Sequence, residues 1–200
     1  PPVYILMQDL ARSLGLTAAG LSDFAIEGIV LLLIFSVGGL LLPALAMLLA
    51  GTLTRTLTRT AKKYDLRHTV AAFAPAFVPI GFGIWIGHYG FHFLIGALSI
   101  IPVFQTFLID HRITLLGKVP NWALASAVPD VGLIGMMQVV VLVGGFLWSM
   151  VIAQRTALRL YRREAVPGLL PWALVLLVLM LATIAIFSQP MEMRGTLLFS

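Results

Sequence analysis

Ile29 to Phe35 and Leu174 to Leu181 are apolar at every position. A strand of a membrane β-barrel would alternate apolar and polar residues, so runs of this kind predict helices surrounded by apolar material on all sides. Such stretches fall at about 25–53, 70–96, 131–153 and 169–187, each near or above the roughly 20 residues a transmembrane helix needs. The amino-terminal stretch reads differently. In "VYILMQDLARSLGL" the apolar Ile5, Leu6, Leu10 and Leu14 are interleaved with Gln8, Asp9, Arg12 and Ser13. That is amphipathic helical spacing and predicts an interfacial helix within residues 1–23. Ser22 or Asp23 is placed to cap the first span, and Gly38, Gly39 and Pro43 predict close packing and a kink within it.

The segment 69–109 carries no formal charge apart from its histidines. A single straight helix of that length would extend about 60 Å, roughly twice the hydrocarbon thickness. Pro75, Pro79 and Pro102, with glycines at 81, 83, 87, 90 and 96, mark where it can break. Either one span at about 70–96 is followed by an outer interfacial segment at 97–128, or two short spans turn near His88. The cations bear on this choice. Arg55, Arg59, Lys62, Lys63 and Arg67 form one cluster, and Arg155, Arg159, Arg162 and Arg163 another. With four spans these nine Lys/Arg lie on one side, against Arg12, Arg112, Lys118 and Arg194 on the other. The positive-inside rule therefore favours four spans with both termini outside, which in a bacterial inner membrane is the periplasm. The predicted fold is an all-α polytopic membrane helix bundle of about four transmembrane helices plus amphipathic interfacial segments, as a single domain over residues 1–200.

Composition agrees: 60% of residues are hydrophobic and 10% charged, with a mean hydropathy of +1.03, against about a quarter charged in soluble domains. The formal net charge of +5 is accounted for by topology determinants beside lipid phosphates, so no nucleic-acid partner is expected. The bilayer itself is the expected partner. There is no cysteine, which removes disulfides, thiolate metal ligands and cysteine-held iron–sulfur clusters from this chain. Any cofactor must use His, Met, carboxylates or another chain. The sequence opens on Pro1 and Pro2 without a basic region before a short apolar run; no signal peptide is expected, and the chain is expected to begin inside a longer product or to be a processed form. No Ser/His/Asp arrangement, carboxylate pair or phosphate loop stands out, so no catalytic residue is assigned and enzymatic activity stays open.

The candidate chemistry lies in "GHYGFH", residues 87–92. His88 and His92 are four apart and share one face of a helix, a spacing that suits two ligands on one metal ion. It does not suit the two axial ligands of one haem, and spans one, three and four contain no histidine. Tyr89 beside them adds a hydroxyl. The candidate cofactor-binding residues are His88, His92 and Tyr89, for a metal, haem or quinone, because ionisable groups at membrane depth are functional candidates by default. The structural alternative has these residues hydrogen-bonding neighbouring helices or interfacial water, with Trp85 in an aromatic belt. Met191 and Met193 follow the last span, and thioether with imidazole suits copper; the candidate metal ligands are His88, His92, Met191 and Met193. Gly83 and Gly87 form a small-xxx-small pattern that lets another helix come close. Gln138 and Gln105 can bond across helices, and Asp110, His111 and Arg112 are placed to end an interfacial helix.

The run "PPVYILMQDLARSLGL", the block "FAPAFVPIGFGIWIGHYGFHFLIGALSIIPVFQ", the "PW" before the last span and "QPMEMRG" at the end together resemble the carboxy-terminal membrane portion of bacterial 4Fe-4S-binding polytopic proteins. These are polyferredoxin-like relatives of the membrane ferredoxins that serve nitrous oxide reduction and cytochrome oxidase assembly. The resemblance implies electron transfer across or along the membrane, with the histidine pair near an outer-side redox centre or quinone. It also implies that the family's clustered cysteines, absent here, lie on upstream sequence or a partner subunit that carries the redox centres. The leading expectation is thus a membrane subunit of an electron-transfer system that anchors or partners an iron–sulfur module. The alternatives are a copper- or metal-handling membrane protein using His and Met ligands, and a non-catalytic membrane assembly scaffold.

Overall fold

A computed structural model describes residues 2–18, 20–126 and 129–188. Among them every regular element is helical: α1 (Pro2–Ser13), α2 (Asp23–Ile34), α3 (Leu42–Leu57), α4 (Leu66–Phe73), α5 (Phe77–Gly96), α6 (Ile100–Asp110), α7 (Val131–Tyr161) and α8 (Ala165–Phe187). Three helical stretches are long and apolar enough to cross a membrane: Asp23–Leu57, Leu66–Asp110 and Gly132–Phe187.

The first two stretches bend near their prolines. The Ser22 side chain accepts from the Ala25 amide and starts α2. Between α2 and α3 lies a widened π-type segment, Phe35–Leu41, after which the Leu42 amide bonds back to Val37 O. Pro43 lacks an amide hydrogen and its ring crowds the carbonyl four residues before it, so the turns ahead of it open. Pro75 sits in a short 3₁₀ stretch, Ala74–Ala76, between α4 and α5, and a second, Ala97–Ser99, separates α5 from α6. Between these two irregularities α5 runs unbroken through His88, so the chain does not turn there.

The third stretch doubles back. Arg162 adopts φ 47° and ends α7, which is 31 residues long rather than stopping near Ala153. α8 then returns along α7: Tyr161 lies against Gly168 at the turn, while Gln138 and Phe187 both reach Gly87 at the far end. The turn end is also where α3 and α4 meet the hairpin. Thr54 donates to Gly168 O at 3.1 Å, the Tyr64 and Tyr161 rings stand 6.1 Å apart, and Phe73 stacks on Trp172 at 4.6 Å. Both basic clusters thereby gather at one end of the bundle. Arg55 closes the loop there, donating from Nε to Tyr64 O and from Nη2 to Ala61 O.

α5 and α7 cross backbone to backbone. A Cβ on Gly145 would lie 2.7 Å from Pro79 O, and one on Gly83 would lie 3.0 Å from Val141 O. Ser149, fully buried, accepts from the Ile80 amide at 3.0 Å at the same crossing. Lipid tails are as apolar as leucine, so close approach and buried hydrogen bonds, rather than hydrophobicity, hold such helices together. At the amino terminus α1 packs Met7 and Ala11 against Ile26 and Val30 of α2, leaving Ile5 and Leu6 exposed. The face read from the sequence as apolar is therefore only partly the packed one: Ile5, Leu6 and Leu14 point away from the chain and suit an interface.

Candidate functional site

Ile80, Gly83 and Gly87 form the buried face of α5, pressed on α7. A helix advances about 100° per residue, which carries Trp85, Tyr89 and His92 to the opposite side. All three are exposed, and His88 is half-buried between the two faces. The rings touch in sequence. Trp85 and Tyr89 lie 5.2 Å apart, His88 meets Tyr89 edge-on at 5.2 Å, and His88 meets His92 at 4.7 Å with planes 78° apart. The two imidazoles therefore share a face as their spacing requires.

The helix-to-helix hydrogen bond beside them is made by another residue. Gln138 of α7 donates from Nε2 to Gly87 O at 3.0 Å. Among the described residues no hydrogen bond joins His88, His92 or Tyr89 to a neighbouring helix. Gly83 and Gly87 do admit neighbours, Val141 and Phe187, but onto the face away from the imidazoles. A cavity between α5 and α7, lined by Gly87, Phe91 and Gln138 among others, encloses about 60 Å³. That is room for a few waters. Larger apolar grooves of about 310 and 290 Å³ run between α3 and α8, lined by Ala46, Val175 and Val178.

Among the described residues no three His, Asp or Glu side chains are placed to share a metal ion. His88 and His92 supply two donors, and Met191 and Met193 lie outside the described residues. His111 is held elsewhere, its Nδ1 2.8 Å from Phe107 O at the end of α6. Asp110 closes that helix, and Gln105 staples the loop beyond it by donating to Leu116 O and accepting from the Asn121 amide. His68 stacks on Tyr64 at 5.2 Å at the basic end, remote from the pair.

The chain matches no family model, no curated protein and no solved structure. What the site can do thus follows from α5. Two imidazoles on one helix face can each coordinate a metal ion or donate a hydrogen bond to a carbonyl. Neither α5 nor α7 completes a coordination sphere around them. The residues that fix this face outward, Ser149 and Gly145, do not stand out in the sequence. A lone serine and a glycine pair in an apolar span are weak signals until their partners are known.

Proposed function

We propose that this protein is a bacterial inner-membrane subunit of an electron-transfer system, which anchors or partners an iron–sulfur module and presents His88 and His92 near the outer side. The observation that carries this reading is the imidazole pair, ring centres 4.7 Å apart with His92 exposed and His88 half-buried, on a helix that holds no formal charge. An ionisable pair kept at membrane depth without a structural hydrogen bond is best explained by a ligand or redox partner. The hairpin at Arg162 supports four crossings, formed by α2–α3, α4–α5, α7 and α8. Both basic clusters then face the cytoplasm and the histidines lie toward the other side, about 22 Å along the helix from Phe73. With no cysteine in the chain, any iron–sulfur cluster belongs to a partner or to upstream sequence. The imidazoles would ligate a metal or haem iron jointly with a partner, or hydrogen-bond a quinone.

The test is the optical spectrum and the Fe, Cu and Zn content of the protein purified in mild detergent with its co-purifying partners, wild type beside His88→Ala/His92→Ala. The expected result is a redox signal and electron flow lost in the double variant, with membrane insertion unchanged. Full electron flow in the double variant would overturn the proposal.

A further inference from the structure

A threonine hydroxyl inside a helix has a ready acceptor, the carbonyl four residues back. Thr52, Thr56, Thr69, Thr106 and Thr183 all donate to it, and Thr54 donates across to Gly168 O. Thr156 of α7 does neither. Its hydroxyl makes no hydrogen bond among the described residues, although the residue is only 8% exposed. It lines an open hollow of about 160 Å³ at the basic end of α7, together with Ile152, Arg155 and Arg159. The two arginines stand one helical turn apart, both exposed, and no carboxylate lines the hollow. Neither guanidinium is paired: among the described residues the one ion pair is Arg12 with Asp9, in α1.

We infer that Arg155, Thr156 and Arg159 form a site for one anionic phospholipid, whose phosphate accepts from both guanidinia and from the Thr156 hydroxyl. All three side chains are donors without a protein acceptor, and the planar fork of arginine matches the oxygens of a phosphate. Topology selection asks only for positive charge near the end of a span. It accounts neither for the hollow nor for a buried hydroxyl left without an acceptor.

Depth along α7 points to a lipid as the source of that phosphate. From Val131 to Ala153 the helix is uncharged, a length of about 34 Å against a hydrocarbon core of about 30 Å. Arg155 and Arg159 lie roughly 3 and 9 Å beyond Ala153 along the axis, and the headgroup layer is about 5–8 Å thick on each side. The donors thus sit at the level of the lipid phosphates. Ile152, half-buried at the hydrocarbon edge of the hollow, offers an apolar wall where an acyl chain begins. The inference needs α7 to cross a bilayer and is independent of electron transfer.

The test takes the full chain in mild detergent, freed of co-purifying lipid, and titrates it with phosphatidylglycerol while native mass spectrometry counts the lipids bound. Wild type is expected to retain one phosphatidylglycerol under conditions that strip phosphatidylcholine, and excess inorganic phosphate is expected not to displace it. Thr156→Val keeps nearly the same shape and the same charge but loses the hydroxyl. It is expected to weaken binding about tenfold, the size of one hydrogen bond to a charged group, and Thr156→Ser is expected to bind as wild type does. Arg159→Gln is expected to lose about tenfold or more. Arg163→Gln removes the same charge from an exposed position that does not line the hollow, and at physiological salt it is expected to stay within about twofold. Diffuse attraction would weaken the two arginine variants alike and leave Thr156→Val unchanged; that result would overturn the inference. So would equal retention of phosphatidylcholine, displacement by inorganic phosphate, or no retained lipid at all. If Thr156→Val does not fold, Arg159→Gln against Arg163→Gln decides the matter.

Discussion

Gly145→Ala adds one methyl group at the point where α5 and α7 are closest. Its Cβ would sit 2.7 Å from Pro79 O and 3.2 Å from Ile80 Cα, whereas carbon and oxygen rest at about 3.3–3.6 Å. Both neighbours are backbone, so no side chain can rotate aside. The helices must part by roughly 0.6–0.9 Å, and a gap of about that size forfeits a quarter to a half of the dispersion energy of the contacts it opens. The same movement stretches the bond from the Ile80 amide to Ser149, now 3.0 Å, beyond useful length. Overpacking of this kind costs about 1–3 kcal/mol, and a weakened buried hydrogen bond adds about 1 kcal/mol. The expected loss is therefore about 2–4 kcal/mol. Gly144 is the internal control, because a Cβ there meets nothing within 4 Å. The unfolded chain keeps its helices in an apolar phase, so Gly144→Ala gains little from helix propensity and should stay within about 0.5 kcal/mol of wild type. Reversible unfolding in mixed micelles, followed by the fluorescence of the buried Trp172, measures both. Equal stabilities for the two variants would refute the claim that α5 and α7 are locked by backbone contact at Gly145.

Gln138→Leu removes the donor to Gly87 O, and the same unfolding assay should show a loss of about 0.6–1.7 kcal/mol, the range for polar bonds between membrane helices; an unchanged midpoint would mean the bond contributes nothing. Arg55→Ala unties the loop carbonyls at Ala61 and Tyr64. Trypsin should then cut faster at Lys62 and Lys63, and Arg55→Lys should not restore protection, because an ammonium lacks the planar fork that reaches both acceptors. Identical cleavage rates in the three proteins would contradict that role.

Several elements are legible in the residues themselves. Ser22 is a helix cap by residue type and caps α2. Gly83 and Gly87 announce a close neighbour and have one. His88 and His92 share a face because a helix brings back every fourth residue. Other features were not legible. Nothing in "LRLYRREAV" tells that Arg162 takes a positive φ and reverses the chain, since neither glycine nor asparagine marks the spot. Gln105 reads as a group that could bond to another helix and instead pins a loop of its own segment. In α1, Met7 and Ala11 pack while the larger Ile5 and Leu6 do not.

Residue order alone dictates that this chain is helical and membrane-compatible, because apolar runs of that length must satisfy their backbone groups internally, and it dictates that the two imidazoles lie together. Tertiary structure decides which way they face. In helices apolar all round, hydrophobicity does not distinguish the side that meets protein from the side that meets lipid. The choice falls to steric fit: Gly83, Gly87 and Gly145 let α7 and α8 close on one side of α5. Trp85, Tyr89 and His92 are thereby left facing outward, in reach of whatever completes the site.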